Sequence, residues 1–180
     1  MTNPLLQAWT TPFQIAPFAE IEDEHFAPAL VEALHAHMAE IHAIADSPDA
    51  PTFENTIEAM EGAGEALDKV LSVFYSLAGA DSTPKRQELQ RDFSPKLSAH
   101  SSAISANKAL FKRIETLWNA RDTLDLSPEQ ARVLMLTHRG FVRSGAALTG
   151  EQVDLMKEVK SRLATLGTQF VQNLLKDESD

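Results

Sequence analysis

The stretch PTFENTIEAMEGAGEALDKVLSVFYSLAGAD, Pro51 to Asp81, decides the fold. Pro51 stops whatever helix precedes it, and Thr52 supplies the side-chain oxygen that a helix start needs for its unpaired amides. Behind this cap, Phe53, Ile57, Met60, Leu67, Leu71 and Phe74 recur at spacings that continue one helical face. Gly62 and Gly64 interrupt the run. Each glycine costs up to about 1 kcal/mol in a helix interior, so close backbone approach by a neighbouring helix is the expected compensation.

Working outward from this segment, the same period appears on both sides. From about Glu24 the positions Phe26, Leu30, Leu34, Met38 and Ile41 form a stripe; Pro28 suits the first turn, and Ser47, Pro48 and Pro51 mark the end. Residues 1–21 place Pro4, Pro12 and Pro17 among Leu5, Leu6, Trp9, Phe13, Ile15 and Phe18, which resists continuous helix yet carries much apolar surface. This predicts an extended arm lying on the helices. Downstream, Asp81, Ser82 and Pro84 signal another start, with a kink or break at Ser94-Pro95. A short helix follows over Ala109 to Trp118. Ser127, Pro128 and Gln130 combine a cap, a first-turn proline and the reciprocal residue of a capping box, and Gly145 suits a left-handed helix terminator beyond Gly140. Thr149 and Gln152 repeat the box spacing before a last helix striped by Val153, Met156, Val159, Leu163, Leu166, Phe170 and Leu174. No window alternates with a period of two between hairpin turns. The fold class is therefore all-α, an antiparallel helical array with an extended, proline-containing N-terminal arm, divided as 1–21 arm and 22–180 helical domain. A chain of 180 residues suffices for one sizeable core.

Composition excludes several functions. The 16 Lys and Arg against 26 Asp and Glu give a net charge of −10, scattered along helices, which disfavours nucleic-acid binding. There is no cysteine, hence no disulfide framework, thiol nucleophile or thiolate metal site. No segment has the length and apolarity of a membrane span, and no cationic start precedes an apolar run. The chain reads as cytoplasmic, with no membrane partner.

Candidate chemistry is sparse. Glu32, His35, His37, Glu40 and His42 are the densest group of potential zinc ligands. Ala39 and Ile41 stand where a second histidine would complete a one-turn pair, so the cluster reads as surface ion pairing or packing. His25, beside a helix start, reads as locally hydrogen-bonded. His138 shares a helix with Leu134, Met135 and Phe141 and reads as a partly buried histidine satisfied by one partner. Arg132, Arg139 and Arg143 share a helix face and are expected to pair with acids of neighbouring helices, with a peptide carboxylate as the functional alternative. Gly62-Ala63-Gly64 follows no strand and lacks the further glycine of a dinucleotide loop. There is no GxSxG or SxxK signature. No catalytic, cofactor-binding or metal-binding residue is assigned to this chain.

The opening stretch, taken with NPLL (Asn3–Leu6), EHFAPAL (Glu24–Leu30), HRGFVRSGAAL (His138–Leu148) and LATLGTQFVQNLL (Leu163–Leu175), resembles the N-terminal part of the thimet oligopeptidase-like zinc metallopeptidases. SVFYSLAGADS (Ser72–Ser82) and HRGFVRSGAAL favour the bacterial peptidyl-dipeptidase (dipeptidyl carboxypeptidase) branch over oligopeptidase A. The resemblance implies a mostly helical peptidase whose N-terminal region faces a catalytic region across a deep channel admitting short peptides. It also implies zinc, held elsewhere by a HExxH helix and a more distant glutamate, since neither occurs before Asp180. On that basis the chain walls and shapes the channel, is inactive alone, and has the missing catalytic domain as its partner. Its last helix, breaking off in KDESD, would continue toward that domain, and the uncovered apolar faces predict self-association. The alternative is a free-standing helical interaction module derived from such an enzyme.

Overall fold

The computed structural model describes residues 3–156 and, beyond them, residues 158, 159, 162, 163, 166 and 170. The described residues contain helices and connecting turns and no strand. Helix α1 (Phe26–Ala45) follows a single 3-10 turn, Asp23–His25, and buries Phe26, Ala29, Leu30, Ala33, Ile41 and Ala45. Thr52 accepts from the Asn55 amide while the Asn55 side chain accepts from the Thr52 amide, as a capping box requires. The turns that follow are π-helical over Phe53–Glu58 and pass into α2, Ala59–Gly62.

Here the structure departs from the sequence reading. The face from Phe53 to Phe74 is not continuous, because Ala63 is extended (ψ 149) and Gly64 is left-handed (φ 87), so a new helix α3 begins at Glu65 and runs to Ala80. A close approach exists at Gly64 alone, and it is by a side chain at a helix start rather than by backbone in a helix interior. A Cβ there would lie 3.2 Å from the His37 ring of α1, whereas one at Gly62 would meet nothing within 4 Å. The Gly64 amide donates to Glu40 Oε2 at 2.7 Å, so α1 caps α3 from the side.

Helix α4 (Pro84–Ser105) is capped by Thr83, whose hydroxyl accepts from the Arg86 amide, with Pro84 at its first position. It continues as one helix through Pro95, without the break that the sequence allowed there. Pro95 is exposed, so its ring and the carbonyl it leaves unpaired can face water, and buried Leu89 and Phe93 hold the preceding turns in place. Helix α5 (Lys108–Ala120) is capped by Asn107, and α6 (Pro128–Ser144) carries the predicted Ser127–Gln130 capping box and ends on left-handed Gly145 (φ 97).

Direction follows from contacts. Glu40 meets the start of α3 and Phe26 meets Phe74 (ring centroids 5.2 Å apart), so α1 and α3 are antiparallel. Phe111 lies against Phe141 while Trp118 lies against His138, so α5 and α6 are antiparallel too. Asp23 bonds Arg86 and His37 bonds His100, which makes α4 run alongside α1 in the same direction.

Two apolar clusters result. One gathers Leu5, Ala16, Phe26, Leu30, Val70, Phe74 and Phe93; the other gathers Ile41, Phe53, Ile57, Leu110, Ile114, Leu134 and Phe141. Each fully buried ring such as Phe74 contributes roughly 1.5–3 kcal/mol. The arm is a chain of 3-10 turns (Pro4–Leu6, Pro12–Gln14, Phe18–Glu20) anchored by Leu5. Trp9 donates to the Pro4 carbonyl at 2.9 Å and lies under Lys69, whose ammonium also donates to the Gln7 carbonyl. Phe13, Ile15 and Phe18 stay exposed rather than packing on the helices. The last stripe is likewise uncovered: Val153 and Met156 are half-buried, but Val159, Leu163, Leu166 and Phe170 are exposed. Leu174 and the KDESD end lie outside the described residues.

Candidate functional site

The turns that end α4 and α6 meet at the start of α5. Asn107 Oδ1 accepts from the Leu110 amide, which fixes where α5 begins and aims Lys108 at the turn after α6. Its ammonium donates to the carbonyls of Ala146 (2.6 Å) and Leu148 (3.1 Å). Between these elements lies a cavity of about 510 Å³, lined by Ser101, Ser102, Ser105 and Ala106 of α4 and its end, Lys108, Ser144 to Ala146, Leu148, Val153 and Met156. No histidine or carboxylate is among these lining residues, and the lysine is committed to two carbonyls. The cleft can hold an apolar group, but it has no base to activate a nucleophile.

The histidines singled out from the sequence are dispersed. His25 Nδ1 accepts from the Glu22 amide at 3.0 Å, and its carbonyl accepts from Asn3 Nδ2 at 2.8 Å, which ties the arm to the start of α1. His138 stacks on Trp118 with centroids 4.7 Å apart and planes 10° apart. Burial pushes the His138 imidazole below the ordinary histidine range; Glu115 pulls it back and Arg121 adds to the lowering. Within the Glu32–His42 group, His35 and His42 are exposed, Glu40 bonds the Gly64 amide, and His37 Nδ1 lies 3.0 Å from His100 Nε2 on α4. No three His, Asp or Glu side chains among the described residues come together as a metal site, so the residues in hand do not fit the zinc that the resemblance implies.

Arg132, Arg139 and Arg143 are exposed along α6. Among the described residues no carboxylate pairs with them, contrary to the expected ion pairs; Arg132 reaches only Met135 Sδ at 3.8 Å. The arginine that matters to the fold is one the sequence reading passed over. Arg113 is 6% exposed and donates to the carbonyls of Ser47 (3.1 Å) and Asp49 (2.9 Å) and to Asn55 Oδ1 (2.8 Å), so α5 clamps the loop between α1 and the π-helical turns. Its position was readable: Leu110, Arg113, Ile114 and Leu117 are one stripe. His100 was signalled in the same way by Phe93, Leu97 and Ile104. Arg86, held charged by Asp23 at 2.8 Å and by Asp81 at 3.1 Å, closes the opposite end of the array.

Kinship carries the functional argument further than these side chains do. The chain is 39% identical over 174 residues to the dipeptidyl carboxypeptidase of Salmonella typhimurium, a match that covers 97% of this chain. It is 37% identical over 173 residues to the protein of the same name from Escherichia coli K12. The chain is homologous to the dipeptidyl carboxypeptidases. Oligopeptidase A of E. coli K12 is a more distant relative, 28% identical over 97% of the chain. The chain spans only about a quarter of the length of these relatives, 26%, 25% and 25% in that order. No protein-family model matches it. No described helix is long and apolar enough to cross a membrane.

Proposed function

We propose that this chain is the N-terminal helical part of a cytoplasmic, zinc-dependent peptidase of the dipeptidyl carboxypeptidase type. In that role it walls and narrows the channel that admits short peptides, and it hydrolyses nothing by itself. The observation that carries the reading is 39% identity, over 97% of the chain, to a protein four times as long, in a sequence without HExxH. The zinc and the catalytic glutamate belong to the remaining part of the protein, which is the chain's partner. Two features agree with this. The cleft offers apolar walls without a base. The row Val159, Leu163, Leu166 and Phe170 presents an uncovered apolar face of the kind that marks an interface.

The test is the source gene past the codon for Asp180, followed by reconstitution. The reading expects an open frame encoding HExxH, and release of C-terminal dipeptides from short peptides only when that part is joined to this one. A stop codon at that point would replace it with a free-standing helical interaction module. Stoichiometric zinc and chelator-sensitive cleavage by the 180-residue chain alone would overturn both.

A further inference from the structure

Helix α4 is fastened unevenly. Its first half is buried through Leu89 and Phe93, with Leu97 partly buried behind them. Between Leu97 and Ile104 every side chain is exposed except His100. His100 Nε2 meets His37 Nδ1 of α1 at 3.0 Å, with ring centroids 4.9 Å apart and planes at 51°. On its other side the His37 ring lies against Gly64, where even a Cβ would come within 3.2 Å, so it cannot swing away toward α3. The second half of α4 carries Ser101, Ser102 and Ser105, one wall of the cleft.

We propose that the His37–His100 contact is a pH-operated latch that fixes the second half of α4 to α1 near neutrality and releases it when both imidazoles are protonated. The inference goes beyond the peptidase reading and stands whether or not that reading does. Its chemistry is a proton count. With no proton added, one ring donates N–H and the other accepts; with one, the bond is charge-assisted. With two, neither nitrogen keeps a lone pair and two cations face each other across about 3 Å, so the contact is lost. The second proton is therefore the one that opens the latch.

The charged groups on the elements meeting there do not cancel this. On α1, Glu40 is committed to the Gly64 amide. Glu61 and Glu65, flanking the α2–α3 junction, are exposed. On α4, Lys96 one turn before His100 is taken by Asp92 at 2.8 Å. On α5, Lys108 is taken by its two carbonyls. His100 is held below the ordinary histidine range by burial first and by the charge of His37 second, with no carboxylate entering. A group lowered in the folded state contributes stability that is present above its unfolded value, about 6.5, and lost as pH falls through the folded one. The latch therefore opens on acidification below about pH 6.5.

The test is residue-resolved amide exchange on the 180-residue chain at about pH 7 and about pH 5, corrected for intrinsic rates. Protection at residues 98–105 should fall at the lower pH relative to residues 88–93 of the same helix. His100→Gln, which can still hydrogen-bond His37 and does not titrate, should abolish the difference. The ring protons of His100 add a readout that survives a poorly folded variant, since its titration, held low in part by the charge of His37, should move up in His37→Gln. Unchanged protection in the parent chain, the same fall in His100→Gln, an equal loss in both halves of α4, or a His100 titration unmoved by His37→Gln would each overturn the proposal.

Discussion

Replacing Arg113 with methionine keeps an apolar stem in the α5 stripe and deletes the guanidinium that clamps the loop after α1. The deleted group makes three hydrogen bonds, to Ser47 O, Asp49 O and Asn55 Oδ1. Hydrogen bonds to a charged group are worth about 1.5–3 kcal/mol each. Two effects reduce the total. Asp49 is exposed and Ser47 and Asn55 only half-buried, so water takes over part of the acceptors' demand. Arg113 Nε is buried without a partner, and removing it relieves a penalty of about 1–3 kcal/mol. The net loss should be about 2–4 kcal/mol, equivalent to a fall in Tm of about 5–15 °C for a chain of this size. Urea unfolding followed by far-UV circular dichroism reads it directly, with a cycle of Arg113→Met, Asn55→Ala and the double variant. Asn55 Oδ1 also accepts from the Thr52 amide and the Thr56 hydroxyl, so Asn55→Ala costs more than the shared bond; the cycle isolates that bond as a coupling of about 1–2 kcal/mol. Stability of Arg113→Met within about 0.5 kcal/mol of the parent, or additivity to within the same margin, would refute the clamp.

Gly64→Ala should destabilise by about 2 kcal/mol or more, because it forces a side chain into a left-handed backbone and against the His37 ring, while Gly62→Ala should be neutral or stabilising; thermal melts of the two variants suffice. His138 sits below its ordinary range, so the part of stability it carries should be present above about pH 6.5 and decline as pH falls, and Trp118 fluorescence should follow the same titration. His138→Phe should remove that titration while keeping the stack, and an unaltered profile would refute the assignment. The exposed row on the last helix should drive concentration-dependent association; Leu163→Lys with Phe170→Lys should reduce it in sedimentation velocity, and a compact parent monomer at high concentration would sink the idea.

Local chemistry made much of this fold legible. The caps at Thr52 and Ser127, the proline starts at Pro84 and Pro128 and the terminator at Gly145 each satisfy backbone groups within a few residues, so a short window contains their cause. What escaped depends on partners distant in sequence. Gly62 and Gly64 read alike, and only the proximity of His37 and Glu40 distinguishes the glycine that ends one helix and starts another. Pro95 reads as a breaker, but burial of Leu89 and Phe93 keeps α4 continuous across it. Arg113 and His100 occupy apolar stripes, and their polarity hid a spacing that already placed them inward. The cleft draws its walls from four elements, the ends of α4 and α6, the start of α5 and the last helix, and no motif in any one of them announces it.

Among the described residues, α1 alone sends buried side chains into both apolar clusters, Phe26 and Leu30 into one, Ile41 and Ala45 into the other. That makes α1 the element through which packing in one cluster is tied to packing in the other. Leu5, α3 and the first half of α4 belong to one cluster; the π-helical turns, α5 and α6 belong to the other. Damage confined to either cluster leaves the second with its own packing, whereas a defect on the inner face of α1 is felt by both at once. Helix α4 seconds α1 in this tie, with Leu89 and Phe93 in one cluster and half-buried Ile104 packed against the other.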